Sequence, residues 1–131
     1  DIIITATPSR QPIIQKEWVR PGTHFSCIGA DLEGKQEIDE RIFASARVFV
    51  DDVDQAVQVG ETEIPIKTGV IERDNIVAEI GSVMLGTTAG RLSDDDITIF
   101  DSTGIALQDL ITADYILKQA EAKGIGIVAN L

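Results

Sequence analysis

The chain has 131 residues, 44% of them hydrophobic, and a formal net charge of −11 from 22 acids against 11 bases. That length supports one domain with its own core. The acidic balance argues against a nucleic-acid or anionic-membrane surface, either of which needs clustered Lys and Arg. No apolar stretch approaches the roughly 18 residues of a membrane span. The single cysteine, Cys27, lies inside an apolar run and has no intrachain partner, so a cytoplasmic setting is expected.

Ile2 to Ala6 reads as a short strand with apolar residues on successive positions, as in a parallel sheet covered on both faces. It begins at once after Asp1, and the chain is therefore expected to be a piece of a longer protein, cut just before a core strand. Thr7-Pro8-Ser9 ends that strand, because Pro8 removes an amide and restricts Thr7. Ile13 to Val19 reads as one or two turns, closed by Arg20-Pro21-Gly22. His24 to Ile28 is a second strand, followed by a loop from Asp31 to Gln36. Asp39 can cap a short helix whose Ile42, Phe43 and Ala46 share a side. Arg47 to Asp51 is a third strand and Asp54 to Val59 a short helical piece, whereas Gly60 to Val70 carries no clear period.

The spacing of Ile76, Ile80, Val83 and Met84 predicts a helix from Asp74 through Leu85, stopped at Gly86. Gly90 to Asp96 is a polar connection and Ile97 to Phe100 a fourth strand. Ala106, Leu110, Ala113, Leu117 and Ala120 then recur at helical spacing, with Lys123-Gly124 as the stop. The tail from Ile125 to Leu131 alternates roughly and is expected to pack on something. Strands alternating with helices predict an α/β fold, a partial Rossmann-like domain with a mostly parallel sheet and flanking helices. In such sheets ligands sit outside the carboxyl ends of the strands. Here those ends are Thr7-Pro8-Ser9, Gly29-Ala30-Asp31 and Asp101-Ser102-Thr103-Gly104, expected to share one crevice.

Asp31 follows two small residues, so a flat ligand could approach closely while its carboxylate orients an amine, accepts a proton or positions water. The plainer alternative is a loop acid that caps the next segment or pairs with Lys35. Gly34-Lys35-Gln36 is too short for a phosphate loop. Ser102 or Thr103 can cap the last helix, and the free amides of its first turn favour a negative or carbonyl group. His24 opens its strand and so stands at the wrong end for the crevice, and Cys27 reads as buried and inert. One His and one Cys do not make a zinc site, and no metal is expected. A dinucleotide fold also needs G-x-G-x-x-G after its first strand, and this sequence has none.

The stretch Ile28-Gly29-Ala30-Asp31-Leu32-Glu33-Gly34-Lys35-Gln36-Glu37-Ile38 resembles the signature of the ornithine cyclodeaminase/mu-crystallin family. Thr5-Ala6-Thr7-Pro8-Ser9-Arg10, Gly90-Arg91 and Phe100-Asp101-Ser102-Thr103-Gly104-Ile105-Ala106 with Gln108-Asp109 resemble it in the same order, across essentially the whole chain. The resemblance implies that residues 1–131 are the second half of a domain binding NAD, or NADP, and run to near the family's C-terminus. The glycine-rich half and the substrate domain would lie outside them. It implies a catalytic role for Asp31 beside the nicotinamide and cofactor contacts at Thr7, Ser9, Gly29, Ala30, Ser102, Thr103 and Gly104. Gly34 and Lys35 would position rather than react.

The implied reaction is hydride transfer from the α-carbon of a small amino acid to the cofactor, giving an imine. An ornithine cyclodeaminase then closes the side-chain amine on that carbon with loss of ammonia. The alternatives on the same fold are an alanine dehydrogenase, a ketimine reductase, or a non-catalytic mu-crystallin-like binding protein. A homodimer is implied for the full-length protein, and these residues alone are expected to be inactive.

Overall fold

A computed structural model of the chain describes residues 1–127 and Ala129. Its strands are β1 (Ile2–Thr5), β2 (Arg10–Ile14), β3 (His24–Cys27), β4 (Gln36–Ile38), β5 (Ala46–Val50), β6 (Ile76–Glu79) and β7 (Ile97–Asp101). Its helices are α1 (Val53–Val59), α2 (Glu63–Lys67), α3 (Ile80–Met84) and α4 (Ala106–Lys123). Five strands form one sheet in the order β1-β3-β7-β5-β6, and every neighbouring pair is parallel. β2 and β4 make a separate parallel pair. This is the α/β arrangement expected, with each crossover returning the chain to the same end of the sheet.

Side chains alternate between the two faces of a strand, and here one face holds the core. Phe25 and Cys27 of β3, Val48 and Val50 of β5 and Ile99 of β7 pack with Ile38, Ile42, Phe43, Ala56 and Ile71. The covering layer is thus β4, the 3-10 turn Glu40–Ser45, α1 and the segment after α2. Asp39 caps that turn through the Arg41 amide, and Asp52 caps α1 through the Gln55 amide.

The opposite face is largely bare, which corrects the expectation that β1 is covered on both sides. Ile3 packs against the core, but Ile2 and Ile4 are 75% and 67% exposed. A hollow of about 550 Å³ on this face is lined by Ile2, His24, Phe49, Ile80, Val83 and Phe100 among others. It lies toward the amino ends of the strands, away from Asp31.

Two further expectations change. The helix read over Asp74 to Leu85 is a 3-10 turn (Arg73–Asn75), then β6, then the short α3. Ile76, Val77 and Ala78 take the open edge of β5, pairing Val48 with Ile76 and Phe49 with Ala78. A short apolar run fits either period, and the sheet edge decides it. Likewise Ile13 and Ile14 end strand β2, and only Lys16–Trp18 forms a turn of helix. β2 is held by β4, which is three residues long and begins at Gln36, the last residue of the expected loop.

α4 runs the length expected and stops at Gly124, whose φ of 61° is the left-handed conformation glycine adopts readily. Its large apolar residues, however, are left mostly exposed. Leu107, Leu110, Ile111, Tyr115, Ile116 and Leu117 are each more than half exposed. Ile125 and Ile127 of the tail are also exposed, while Val128, Asn130 and Leu131 lie outside the described residues. No described helix is long and apolar enough to cross a membrane.

Phe25 is fully buried at the centre of the core. Phe25→Ala is expected to cost about 3–5 kcal/mol, read as a lowered midpoint in chemical denaturation.

Candidate active site

Because the strands are parallel, the carboxyl ends of β1, β3, β7 and β5 lie together. Where the ladder stops, successive tips stay joined: the Ile28 amide donates to the Thr5 carbonyl at 2.9 Å, Ser102 to Cys27 at 2.9 Å, and Asp51 to Asp101 at 3.2 Å. The structure therefore brings Thr7, Gly29, Ala30 and the Ser102–Gly104 turn to one rim. A Cβ at Gly29 would stand 2.5 Å from both the amide nitrogen and the carbonyl oxygen of Thr7. Glycine is required there by close approach of two backbones rather than by its own φ. Ala30 is buried beside it.

Asp31 stands on the rim, its side chain 56% exposed, and forms an ion pair with Lys35. That hydrogen bond from Lys35 holds the Asp31 carboxyl below its ordinary range. Of the two readings of Asp31 made from the sequence, the pairing with Lys35 is the one seen here, and it leaves an ionised carboxylate on the rim with a lysine at its side. The same Lys35 Nζ donates to the Gly29 carbonyl at 3.3 Å, which ties the carboxylate to the strand tip.

Asp51 organises the Ser102–Gly104 turn. Its carboxylate accepts from the Ser102 hydroxyl (3.1 Å), the Thr103 amide (2.8 Å) and hydroxyl (2.9 Å), and the Gly104 amide (2.9 Å). These hydroxyls and amides are engaged by Asp51, and α4 begins only at Ala106 with Ile105 as its N-cap and no side-chain cap bond, so neither Ser102 nor Thr103 caps it as expected. Thr103 is buried, Ser102 half-buried and Gly104 exposed. Ser9 sits at the entrance to β2, its hydroxyl donating to the Gln11 carbonyl at 2.6 Å and its amide to the Thr7 hydroxyl at 3.2 Å.

Beneath the rim lies a set of buried acids: Asp101, which the sequence reading takes as more structural than reactive, and Glu37, Glu61 and Glu63, which that reading missed. Glu37 accepts the Thr7 amide at 2.5 Å and the Gly29 amide at 3.1 Å. Glu61 accepts the amides of Glu37 (2.8 Å) and Ile38 (2.7 Å). Asp101 accepts the Glu61 amide (3.1 Å), the Thr62 amide (2.8 Å) and the Thr62 hydroxyl (2.5 Å). Glu63 accepts the Gly34 amide at 2.8 Å and pairs with Lys67 at 2.5 Å. Glu37, Glu61, Glu63 and Asp101 are fully buried. The signal available was Glu37 inside the motif and three polar residues, Glu61-Thr62-Glu63, in a segment without period.

Burial pushes the Glu61 carboxyl up to about 8, against the pull of the Ile38 and Glu37 amides and with help from the charges of Asp101 and Glu37. Burial likewise raises Asp101 to about 6, opposed by its bonds to Thr62 and to the Glu61 amide. His24, at the far end of β3, shares a 2.8 Å hydrogen bond between Nδ1 and the Thr98 hydroxyl, and burial lowers its pKa. Cys27 is buried, with its thiol pushed well up by that burial. Neither reaches the crevice.

Two outcomes follow from this geometry. Gly29→Ala must separate the tips of β1 and β3 and is expected to cost more than about 2 kcal/mol in denaturant unfolding. In the native state Glu61 keeps a proton that an unfolded chain, titrating near 4.5, releases. Its stabilising contribution is therefore full below that value and is lost as pH rises through about 8. Glu61→Gln mimics the protonated acid, so its melting temperature should fall less across that window than the parent's. Equal slopes would contradict this assignment.

The family model described as ornithine cyclodeaminase/mu-crystallin matches residues 1–124. The alanine dehydrogenase of Archaeoglobus fulgidus is 46% identical over 126 residues, which make up 96% of this chain and 39% of that protein. The iminosuccinate reductase of Paracoccus denitrificans is 42% identical over 125 residues, 95% of this chain and 38% of that one. A solved archaeal alanine dehydrogenase dimer with bound NAD superposes with a TM-score of 0.91 at 44% identity, covering 100% of this chain and 41% of that one. The chain thus spans about two fifths of the length of the curated relatives it matches. It belongs to the ornithine cyclodeaminase/mu-crystallin family.

Proposed function

We propose that these residues form the second, nicotinamide-side half of a dinucleotide-binding domain in an NAD-dependent oxidoreductase acting at the α-carbon of a small amino or imino acid. NADP is the variant cofactor to be tested beside NAD. One observation carries the reading: Asp31, an ionised carboxylate braced by Lys35, stands over a rim floored by Gly29 and Ala30 at the carboxyl ends of parallel strands. The absence of a side chain at Gly29 and the smallness of Ala30 suit a flat ring, and the Ser102–Gly104 turn closes the same rim. A bound nicotinamide supplies the hydride acceptor or donor.

The chain's own residues handle the substrate. Asp31 accepts a proton from the water that adds to the imine carbon, and ammonia then leaves. In the reverse direction it returns that proton. Lys35 keeps the carboxylate ionised and fixes its place beside Gly29. Thr7, Ser9, Ser102, Thr103 and Gly104 shape the cofactor side of the crevice.

The likeness to an alanine dehydrogenase and an iminosuccinate reductase supports net oxidation or reduction. The ornithine cyclodeamination expected from the motif is the less supported outcome. The full-length protein is proposed to work as a homodimer, in line with the dimeric archaeal alanine dehydrogenase.

The test uses the full-length protein that contains these residues. It is offered NAD or NADP with alanine or ornithine, and NADH or NADPH with ammonium and either pyruvate or oxaloacetate. Net cofactor reduction with alanine, or oxidation with a keto acid and ammonium, is expected. Asp31→Asn should lower kcat about 100-fold or more while NADH binding persists. Proline and ammonia from ornithine without net cofactor reduction would reassign the protein as a cyclodeaminase. Cofactor binding without any turnover would make it a binding protein.

A further inference from the structure

We propose that Glu37 is the positioning residue of this crevice: its carboxylate fixes the tips of β1 and β3 against each other and thereby sets where Asp31 stands relative to the reacting carbon. The inference rests on the oxidoreductase reading above and adds to it a residue that touches neither substrate nor cofactor.

The geometry assigns one carboxylate oxygen to each strand. Oε1 accepts from the Thr7 amide at 2.5 Å and Oε2 from the Gly29 amide at 3.1 Å. Both amides lie beyond the last ladder bonds of their strands, where no neighbouring carbonyl is left to receive them. Glu37 is fully buried and has no Lys or Arg ion-pair partner among the described residues. A buried acid without a cation is a poor choice for stability alone. What it provides is a two-oxygen clamp that no apolar residue can supply.

The clamp is itself oriented from β7, the central strand of the sheet. The Glu37 amide is held by Glu61, the Glu61 amide by Asp101, and Asp101 is the last residue of β7. Its output runs toward the rim. The Gly29 carbonyl receives Lys35 Nζ, and that ammonium also holds Asp31. Displacing Gly29 therefore displaces the whole Asp31–Lys35 pair.

The test is made in the full-length protein with Glu37→Gln, which keeps size and one acceptor but turns an NH2 toward one of the two amides. Activity is expressed per NADH-binding site, titrated by the fluorescence of bound NADH, so that misfolded molecules do not count. The expected result is a fall in kcat of about tenfold to 100-fold with KM for the cofactor within about threefold of the parent, because a displacement near 1 Å costs chemistry more than binding. The deuterium isotope effect on kcat with α-deuterated substrate should fall, because the slowed step is the proton transfer between Asp31 and water rather than hydride transfer.

A kcat per site within about twofold of the parent would overturn the inference, since a merely structural acid lowers only the number of competent sites. Should Glu37→Gln not fold, Glu37→Asp keeps the charge but shortens the reach. It should show the same split at about threefold to tenfold, and an unchanged kcat per site overturns the inference equally. A parent protein that binds NADH yet turns over none of the substrates removes the oxidoreductase reading and this inference with it. Normal turnover by the parent together with an unaltered Glu37→Gln removes the inference alone.

Discussion

Where a parallel sheet stops, its strands leave backbone amides pointing at nothing, and this protein meets them with buried carboxylates. Asp51 takes the amides of Thr103 and Gly104, Asp101 those of Glu61 and Thr62, Glu61 those of Glu37 and Ile38, and Glu37 those of Thr7 and Gly29. Each acid satisfies donors that would otherwise be buried without a partner, a cost comparable to the loss of a hydrogen bond apiece. Three of these acids also hold the backbone of the next acid or of its rim, so a continuous path of contacts runs from β7 to β1. The rim is shaped from below by hydrogen bonds to buried carboxyl groups rather than by side chains packed from above.

The working surface is consequently plain. Gly29 and Ala30 give it depth, Ser102 and Thr103 have their hydroxyls turned down to Asp51, and Asp31 stands on the rim with its lysine. A surface of this kind suits a ligand recognised by fit and by one charge, rather than by a row of donors. Among the described residues, the second face of the sheet, the outer edge of β1 and the apolar side chains of α4 are exposed and lie outside this network.

The fold was legible where period and punctuation agreed. Alternating strands and helices gave the parallel sheet, Gly124 gave the end of α4, and Asp39 gave the cap of the turn after it. β6 was not legible, because Ile76, Val77 and Ala78 fit a helix as well as a strand until the free edge of β5 is known. β4 was hidden by its length and by the charge of Glu37. Of the site, Asp31 and the strand tips could be read from small residues followed by an acid. Glu37 and Glu61 could not, since a carboxylate that grips an amide 30 or 24 positions away looks, in a list of letters, like one that faces water.

The Gly29–Glu37 contact has one more consequence. It joins positions eight apart, so the segment between them is in effect a macrocycle closed by a carboxylate, with Asp31 mounted on the ring. Glu63 pins the ring at the Gly34 amide, and Lys67 and Arg10 grip it at Glu33. Ring size is then a fixed quantity: an inserted residue could not be absorbed as slack, as it could in an open surface loop, but would have to bulge outward or break the closure. Much of the conformational entropy of this segment is surrendered when the chain folds, so the Asp31 carboxylate is in place before anything binds.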